Sequence, residues 1–324
     1  MTNNTPPSVA RGKVFAVAPM MDWTDRHCRF FHRLLAPHAL LYTEMLTAQA
    51  VHHGDRQRLL AFRPEEQPVA LQIGGSEARL LAEAARIGED FGYREINLNV
   101  GCPSDRVQEG RFGACLMAEP HLVRDLVGAM ARAVAIPVTV KCRIGIDDQD
   151  EDGDFETFIS TVAEAPCKTF IVHARKAWLK GLSPKENREI PPLNHERVHR
   201  LKRQHPGLTV IINGGIASLS AARDHLNRVD GIMLGRAAYH MPWLLAEIDR
   251  EFFGGEGVPG DPAQVVSRME AYAAEEVARG VPLHQITRHM LGLFHGRPGG
   301  RHWRRILTEG VARDGGNGAI LARA

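Results

Sequence analysis

A (β/α)8 TIM barrel with a C-terminal helical domain is the fold class that this sequence predicts. Eight short runs rich in Val and Ile recur along the chain as far as Phe253, and longer amphipathic stretches lie between most of them. The runs are near-continuously apolar, as strands covered by helices on both faces are. Beyond Phe253 the strand signal stops. Periodicity alone also allows a doubly wound open sheet; the count of eight favours the closed barrel.

Strands are expected at Val14–Pro19, Ala39–Met45, Pro68–Gly74, Glu95–Gly101, Ile136–Arg143, Thr169–Arg175, Thr209–Gly215 and Gly231–Arg236. Between them, Glu77–Phe91 reads as a helix capped by Ser76. Pro120–Val134 reads as another, with Leu122, Leu126, Val127 and Met130 on one face, as do Glu196–Gln204 and Ser218–Leu226. The Gly/Pro-rich stretch that follows Phe253 reads as a linker. Past it, Pro262–Arg279, His284–Phe294 and Arg301–Leu307 read as helices. The expected organisation is a flexible tail over residues 1–12, a barrel catalytic domain over 13–253 and a helical domain over 254–324.

At 324 residues the chain can hold one such barrel, which takes roughly 250 residues, and a smaller appendage. The 44% hydrophobic and 24% charged fractions are ordinary for a globular protein. The five cysteines, Cys28, Cys102, Cys115, Cys142 and Cys167, are odd in number and form no CxxC pair. That argues against a disulfide framework or a zinc site and for reduced thiols in the cytoplasm. Neither an apolar signal core nor a run of about 18 apolar residues occurs, so no leader or membrane span is expected.

A net charge of +2 does not announce a nucleic-acid binder, but its distribution is uneven. From Ile286 to Ile306 there are five arginines (Arg288, Arg297, Arg301, Arg304, Arg305) and no Asp or Glu. A polyanion partner accounts for this, as does a solvated basic helix face. Asp147–Glu156 holds seven acids and no base; it reads as a solvated loop, with a metal site as the alternative.

In a parallel barrel, residues at the C-terminal ends of the strands face the active site. Here those ends carry Pro19-Met20-Met21, Gln72, Asn97 and Asn99, Lys141 and Arg143, His173 and Arg175, Asn213-Gly214-Gly215, and Gly235-Arg236. Buried Lys, Arg and His need partners, so a ring of them is poorly explained as packing. The last two clusters place bare amides and a guanidinium where such barrels bind phosphate. A phosphate there points to a cofactor whose ring lies over the barrel mouth. Gln72 and Asn99 could bond a ring's polar edge, and Lys141 could hold negative charge on a reduced flavin at N1/O2. An internal ion pair for Lys141 and a satisfied core position for His173 are the structural alternatives.

Cys102 follows the fourth strand, between Gly101 and Pro103. A flavin delivers hydride to one carbon of an activated C=C bond, and a separate acid must protonate the other. A thiol with an ordinary pKa of about 8.5 is mostly protonated at neutral pH and can do so. Cys142 and Cys167 sit among strand residues and read as small core hydrophobes.

The segments APMMDWTDRHCR, LQIGG, INLNVGCPSDRVQEGRFGACLM, VTVKCRIGIDD, IVHARKAWLKGLSPKENREIPPL, INGGI, GRAAY and ITRHMLGLFHGRPGGRHWRR resemble the tRNA-dihydrouridine synthases. The similarity runs from about Val14 to Arg305, and two segments resemble the subfamily acting on D-loop uridines 20 and 20a. The resemblance implies FMN as cofactor, NADPH as reductant with NADH as an alternative, and tRNA as the macromolecular partner, for a cytoplasmic protein that needs no protein partner and works as a monomer. It implies that Pro19, Met20, Met21, Gln72, Lys141, His173, Asn213, Gly214, Gly215, Gly235 and Arg236 surround FMN and that Cys102 is the proton donor. It gives Asn99 a contact to the tRNA substrate and matches Lys185, Arg188, Arg301 and Arg304 to further tRNA contacts. Arg175 is added from its strand end. The helical domain is then the tRNA-recognition domain. A small-molecule pyrimidine reductase using FMN, or a tRNA-binding protein without catalysis, are the other readings.

Overall fold

The computed structural model describes residues 12–150 and 152–310, so the flexible tail expected over 1–12 and the last residues of the helical region lie outside the described residues, except for Gly12. Eight strands are labelled here in chain order: β1 (Val14–Val17), β2 (Leu40–Tyr42), β3 (Val69–Gly74), β4 (Glu95–Val100), β5 (Val138–Arg143), β6 (Thr169–His173), β7 (Thr209–Asn213) and β8 (Gly231–Leu234). Each pairs with the next in parallel, and β1 pairs with β8, which closes the ring. A two-residue strand, Leu46–Thr47, also pairs with β3.

Two cores follow from the alternation of side chains along the strands. The larger lies between the barrel and its helices, where Leu71, Ile96, Leu98, Val140, Val172 and Ile212 are fully buried. The smaller is separate, drawing Ala16, Tyr42, Ala70, Ile171, Ile211 and Met233 from six strands. The same inward positions of β4 and β5 carry Glu95, Asn97 and Thr139 instead, all buried. The interior is therefore apolar on one side and polar on the other.

Helices α1 (Arg26–Leu35), α2 (Ala78–Asp90), α3 (Pro120–Ala133), α4 (Gly153–Ala163), α5 (His195–Gln204), α6 (Leu219–Leu226) and α7 (Trp243–Phe252) wrap the barrel. Asp25, Asn194 and Ser218 cap α1, α5 and α6 by accepting from backbone N–H groups of the first turn. Ser76 does not cap α2, which starts at Ala78 after Glu77 without a side-chain cap. Helices α1, α4 and α7 lie outside the stretches that periodicity marks. In α1 the buried face includes Arg29, His32 and Arg33, which interrupts the apolar pattern; Arg29 is satisfied by Glu66 at 2.8 Å.

Most strands end earlier than expected, at Val17, His173, Asn213 and Leu234, so the polar clusters beyond them form loops. The expected strand Ala39–Met45 stops at Tyr42 because the Thr43 hydroxyl takes over, accepting from Gln72 N at 3.1 Å and donating to Glu44 O at 2.7 Å. The acidic run is not simply a solvated loop. Its second half enters α4, and Asp152 and Glu156 pair with the buried guanidinium of Arg197 on α5.

Beyond Phe253 come α8 (Pro262–Ala278), a short helix at Leu283–Thr287 and α9 (Gly300–Arg305). The expected helix His284–Phe294 is broken, and at Gly292 the chain passes so close to His240 O that a Cβ would lie 2.5 Å from it. This region docks on α1. Tyr272 stacks on Phe30 at 4.0 Å and bonds His27 Nδ1 at 2.7 Å; Arg288 pairs with Asp25 at 2.7 Å. No helix among the described residues is long and apolar enough to cross a membrane.

Candidate active site

The loops after the strands enclose a cavity of about 540 Å³ at the C-terminal mouth of the barrel, within the range of small-molecule sites. It brings together Pro19, Met20, Met21, Gln72, Asn99, Cys102, Lys141, His173, Arg175, Arg188, Asn213, Gly214, Gly215, Gly235 and Arg236. Lys185, Arg301 and Arg304 do not line it; all three are exposed.

At the β1 end, Thr24 knots the turn that presents Met20 and Met21. Its hydroxyl accepts from Met20 N at 2.9 Å and donates to Met20 O at 3.1 Å. Met21 is left 55% exposed at the rim. Two strands away, past β8, the turn after β7 is built from Gly214 and Gly215, with φ of +110° and +76°. A Cβ on Gly214 would lie 2.7 Å from His173 Cδ2. His195 Nε2 donates to Gly214 O at 2.8 Å and steadies the turn. Two successive glycines at positive φ let the backbone come close to a ligand.

Lys141 reaches Asn213 Oδ1 at 3.3 Å and has no carboxylate partner among the described residues, so the ion-pair alternative does not hold. Burial pulls its pKa down to about 8, with the neighbouring Arg143 adding to the effect. His173 is pushed well below its ordinary value, first by burial and then by Arg143 and Lys141, so its ring is neutral at neutral pH. The mouth is a cationic place short of anions.

The Cys102 loop is held from three directions. Asn99 Oδ1 accepts from Gly101 N at 3.1 Å and from Cys102 N at 3.0 Å. Cys102 O accepts from Ala114 N at 2.8 Å, a close approach that Gly113 permits at φ +77°. Arg143 Nε donates to Gly101 O at 2.9 Å. The Cys102 thiol is half-buried on the cavity wall, whereas Cys142 and Cys167 are fully buried.

Three arrangements escape the sequence. Arg143, only 3% exposed, also donates to Lys176 O and Asn187 O and so ties the thiol loop to the loop bearing Lys185 and Arg188. Arg175 is engaged with the carbonyls of Glu189 and Pro191. Arg236 pairs with Glu189 at 2.7 Å. The polar series Glu95-Asn97-Asn99, every second residue of β4, does carry a signal: alternation aims all three into the barrel.

A family model described as dihydrouridine synthase matches residues 16–322. The chain is 54% identical over 324 residues to the tRNA-dihydrouridine(20/20a) synthase of Xanthomonas campestris pv. campestris, covering 100% of this chain and 96% of that one. It is 58% identical over 294 residues to the protein of that name from Synechocystis sp., covering 91% and 88%. Its identity to that of Escherichia coli K12 is 57% over 311 residues, covering 96% and 90%. Among solved structures, a 2-naphthoyl-CoA reductase complex superposes with a TM-score of 0.58 at 9% identity over 73% of this chain and 50% of that one, a likeness of fold alone. On the family match and on relatives more than half identical over nearly its whole length, the chain belongs to the dihydrouridine synthase family.

Proposed function

We propose that this protein reduces uridine to 5,6-dihydrouridine in the D-loop of tRNA, at positions 20 and 20a, as a cytoplasmic monomer using FMN and NADPH, with NADH as the alternative donor. The observation that carries this reading is the single cavity joining Cys102, Asn99, Lys141 and the Gly214–Gly215 turn. The names of the relatives supply the substrate.

The residues fit a phosphorylated flavin. Lys141 is a half-buried cation without a carboxylate partner among the described residues, and the Gly214 cradle has no room for a Cβ. Gly214, Gly215, Gly235 and Arg236 would hold the phosphate, with Arg236 leaving Glu189 for it. Gln72, Lys141, His173 and Asn213 would meet the polar edges of the ring, and Pro19, Met20 and Met21 would cover it. A reduced flavin held there would supply hydride to uracil C6.

The chain's own residues do the rest. Cys102 Sγ–H gives its proton to C5. Asn99, Lys141 and neutral His173 offer N–H groups to the charge that builds toward O4, and Arg175 steadies the rim. The uridine has to leave the RNA stack to enter the mouth. Lys185 and Arg188 on the rim loop, and Arg301 and Arg304 beyond it, grip phosphates and set which uridine enters. Residues 13–253 are thus the catalytic domain and 254–324 the tRNA-recognition domain.

The test is to give the purified protein an unmodified tRNA transcript and NADPH and to map dihydrouridine by nucleoside mass spectrometry. A yellow protein that modifies positions 20 and 20a is the expected result. Turnover of free pyrimidines without tRNA would favour the small-molecule reductase, and a colourless tRNA binder the non-catalytic reading.

A further inference from the structure

Beneath the cavity a chain of buried hydrogen bonds runs down the polar side of the barrel. Asn99 Nδ2 donates to Gln72 Oε1 at 2.9 Å, Gln72 Nε2 to Asn97 Oδ1 at 2.8 Å and Asn97 Nδ2 to Thr139 Oγ1 at 2.8 Å. Thr139 Oγ1 then donates to Glu95 Oε1 at 2.6 Å, and the Tyr42 hydroxyl donates to the same oxygen.

Every group in the middle of this chain is ambivalent. An amide can turn over and exchange its oxygen for its nitrogen, and a hydroxyl can donate or accept. Only the ends are committed. At the top, the N–H groups of Gly101 and Cys102 can only donate, and they meet Asn99 Oδ1. At the bottom, Glu95 Oε1 accepts from two hydroxyls, and these two bonds favour the carboxylate, an acceptor, against the burial that raises its pKa. The two ends demand the same sense of donation, and Asn97, with 0% exposure, has no water to turn to.

We propose that Glu95, acting through Thr139, is a positioning residue: it fixes the direction of the buried amide chain, and with it the seat of the Cys102 loop and the N–H that Asn99 offers the pyrimidine. The proposal rests on Cys102 being the acid. With the chain running this way, the Asn99 carbonyl is spent on the thiol loop and its remaining N–H is left for a substrate carbonyl. Were the chain reversed, an NH2 group would face the N–H groups of Gly101 and Cys102, and the loop would lift.

Thr139→Val keeps the shape and removes both bonds; Thr139→Ser keeps the hydroxyl. Both are compared in the flavin-loaded protein. For Thr139→Val, kcat for dihydrouridine should fall about tenfold, the size of one buried hydrogen bond lost at the transition state, with KM for tRNA nearly unchanged. Alkylation of Cys102 by iodoacetamide, read by peptide mass spectrometry, should quicken, and Thr139→Ser should restore both. Unchanged alkylation and kcat in Thr139→Val would overturn the proposal. If that variant does not fold, a neutron structure of the unaltered protein decides: Asn97 Nδ2 facing Thr139 supports the proposal, and the reverse orientation overturns it. The labelling and neutron results do not depend on catalysis, so full activity of a variant lacking the Cys102 thiol would remove the acid role without being mistaken for failure of the chain.

Discussion

Lys141 Nζ and Asn213 Oδ1 meet at 3.3 Å across the barrel mouth, and no carboxylate among the described residues joins them. A lysine in this setting is held near the edge of deprotonation, about 8 against an ordinary 10.5. An anion placed beside it favours the charged form. FMN binding at about pH 9 should therefore take up a proton at Lys141, whereas at about pH 6.5 the lysine is already charged and takes up none. Isothermal titration in buffers of different ionisation enthalpy reads this directly, and Lys141→Met should abolish the difference. The sign for stability runs the other way. Between about 8 and 10.5 the unfolded chain keeps this proton and the cofactor-free fold releases it, so this group makes the fold more stable as pH rises through that window.

Gly214→Ala should lose flavin. The residue stands at φ +110°, and the new methyl would lie 2.7 Å from His173 Cδ2. The expected cost is about 1–3 kcal/mol of stability, from backbone strain and a displaced imidazole. Thermal unfolding and the flavin-to-protein absorbance ratio check it; a variant that keeps both would show that the turn is not a close-fitting cradle.

Arg301→Ala combined with Arg304→Ala should weaken tRNA binding without slowing NADPH oxidation. The two lie three residues apart on α9, exposed on either side of buried Trp303, whose Nε1 donates to Met290 O at 2.8 Å. They can be removed without disturbing that anchor. If each neutralises one phosphate, the slope of log K against log salt should become shallower by about two, and the loss should be greatest at low salt. An unchanged slope would place the RNA elsewhere.

The barrel and the membership of its mouth were legible because one rule of parallel barrels turns eight strand ends into neighbours. Gln72, Lys141, His173 and Asn213 could be assembled on that rule without any distance. What stayed hidden was partnership. Nothing local says that Arg236 pairs with Glu189, that Arg143 buckles two loops together, or that Asp152 and Glu156 clasp Arg197, because each pair is chosen by how loops pack. Helix α1 escaped for a related reason: its buried Arg29 and Arg33 are satisfied by distant groups such as Glu66. The alternating polar residues of β4 were visible but sat inside a run that reads as apolar.

The most direct test of the account is one turnover measurement on Cys102→Ala. The variant should bind flavin and tRNA as the unaltered protein does, since the loop is held through its own backbone N–H and C=O groups, and the sulfur's contact to Ser104 Oγ is long, at 3.7 Å. Its rate of dihydrouridine formation should drop by about 10²–10⁴, the usual worth of a positioned general acid. A rate within a few fold of the unaltered protein's would contradict the account, because the proton for C5 would then come from somewhere other than the thiol on the cavity wall.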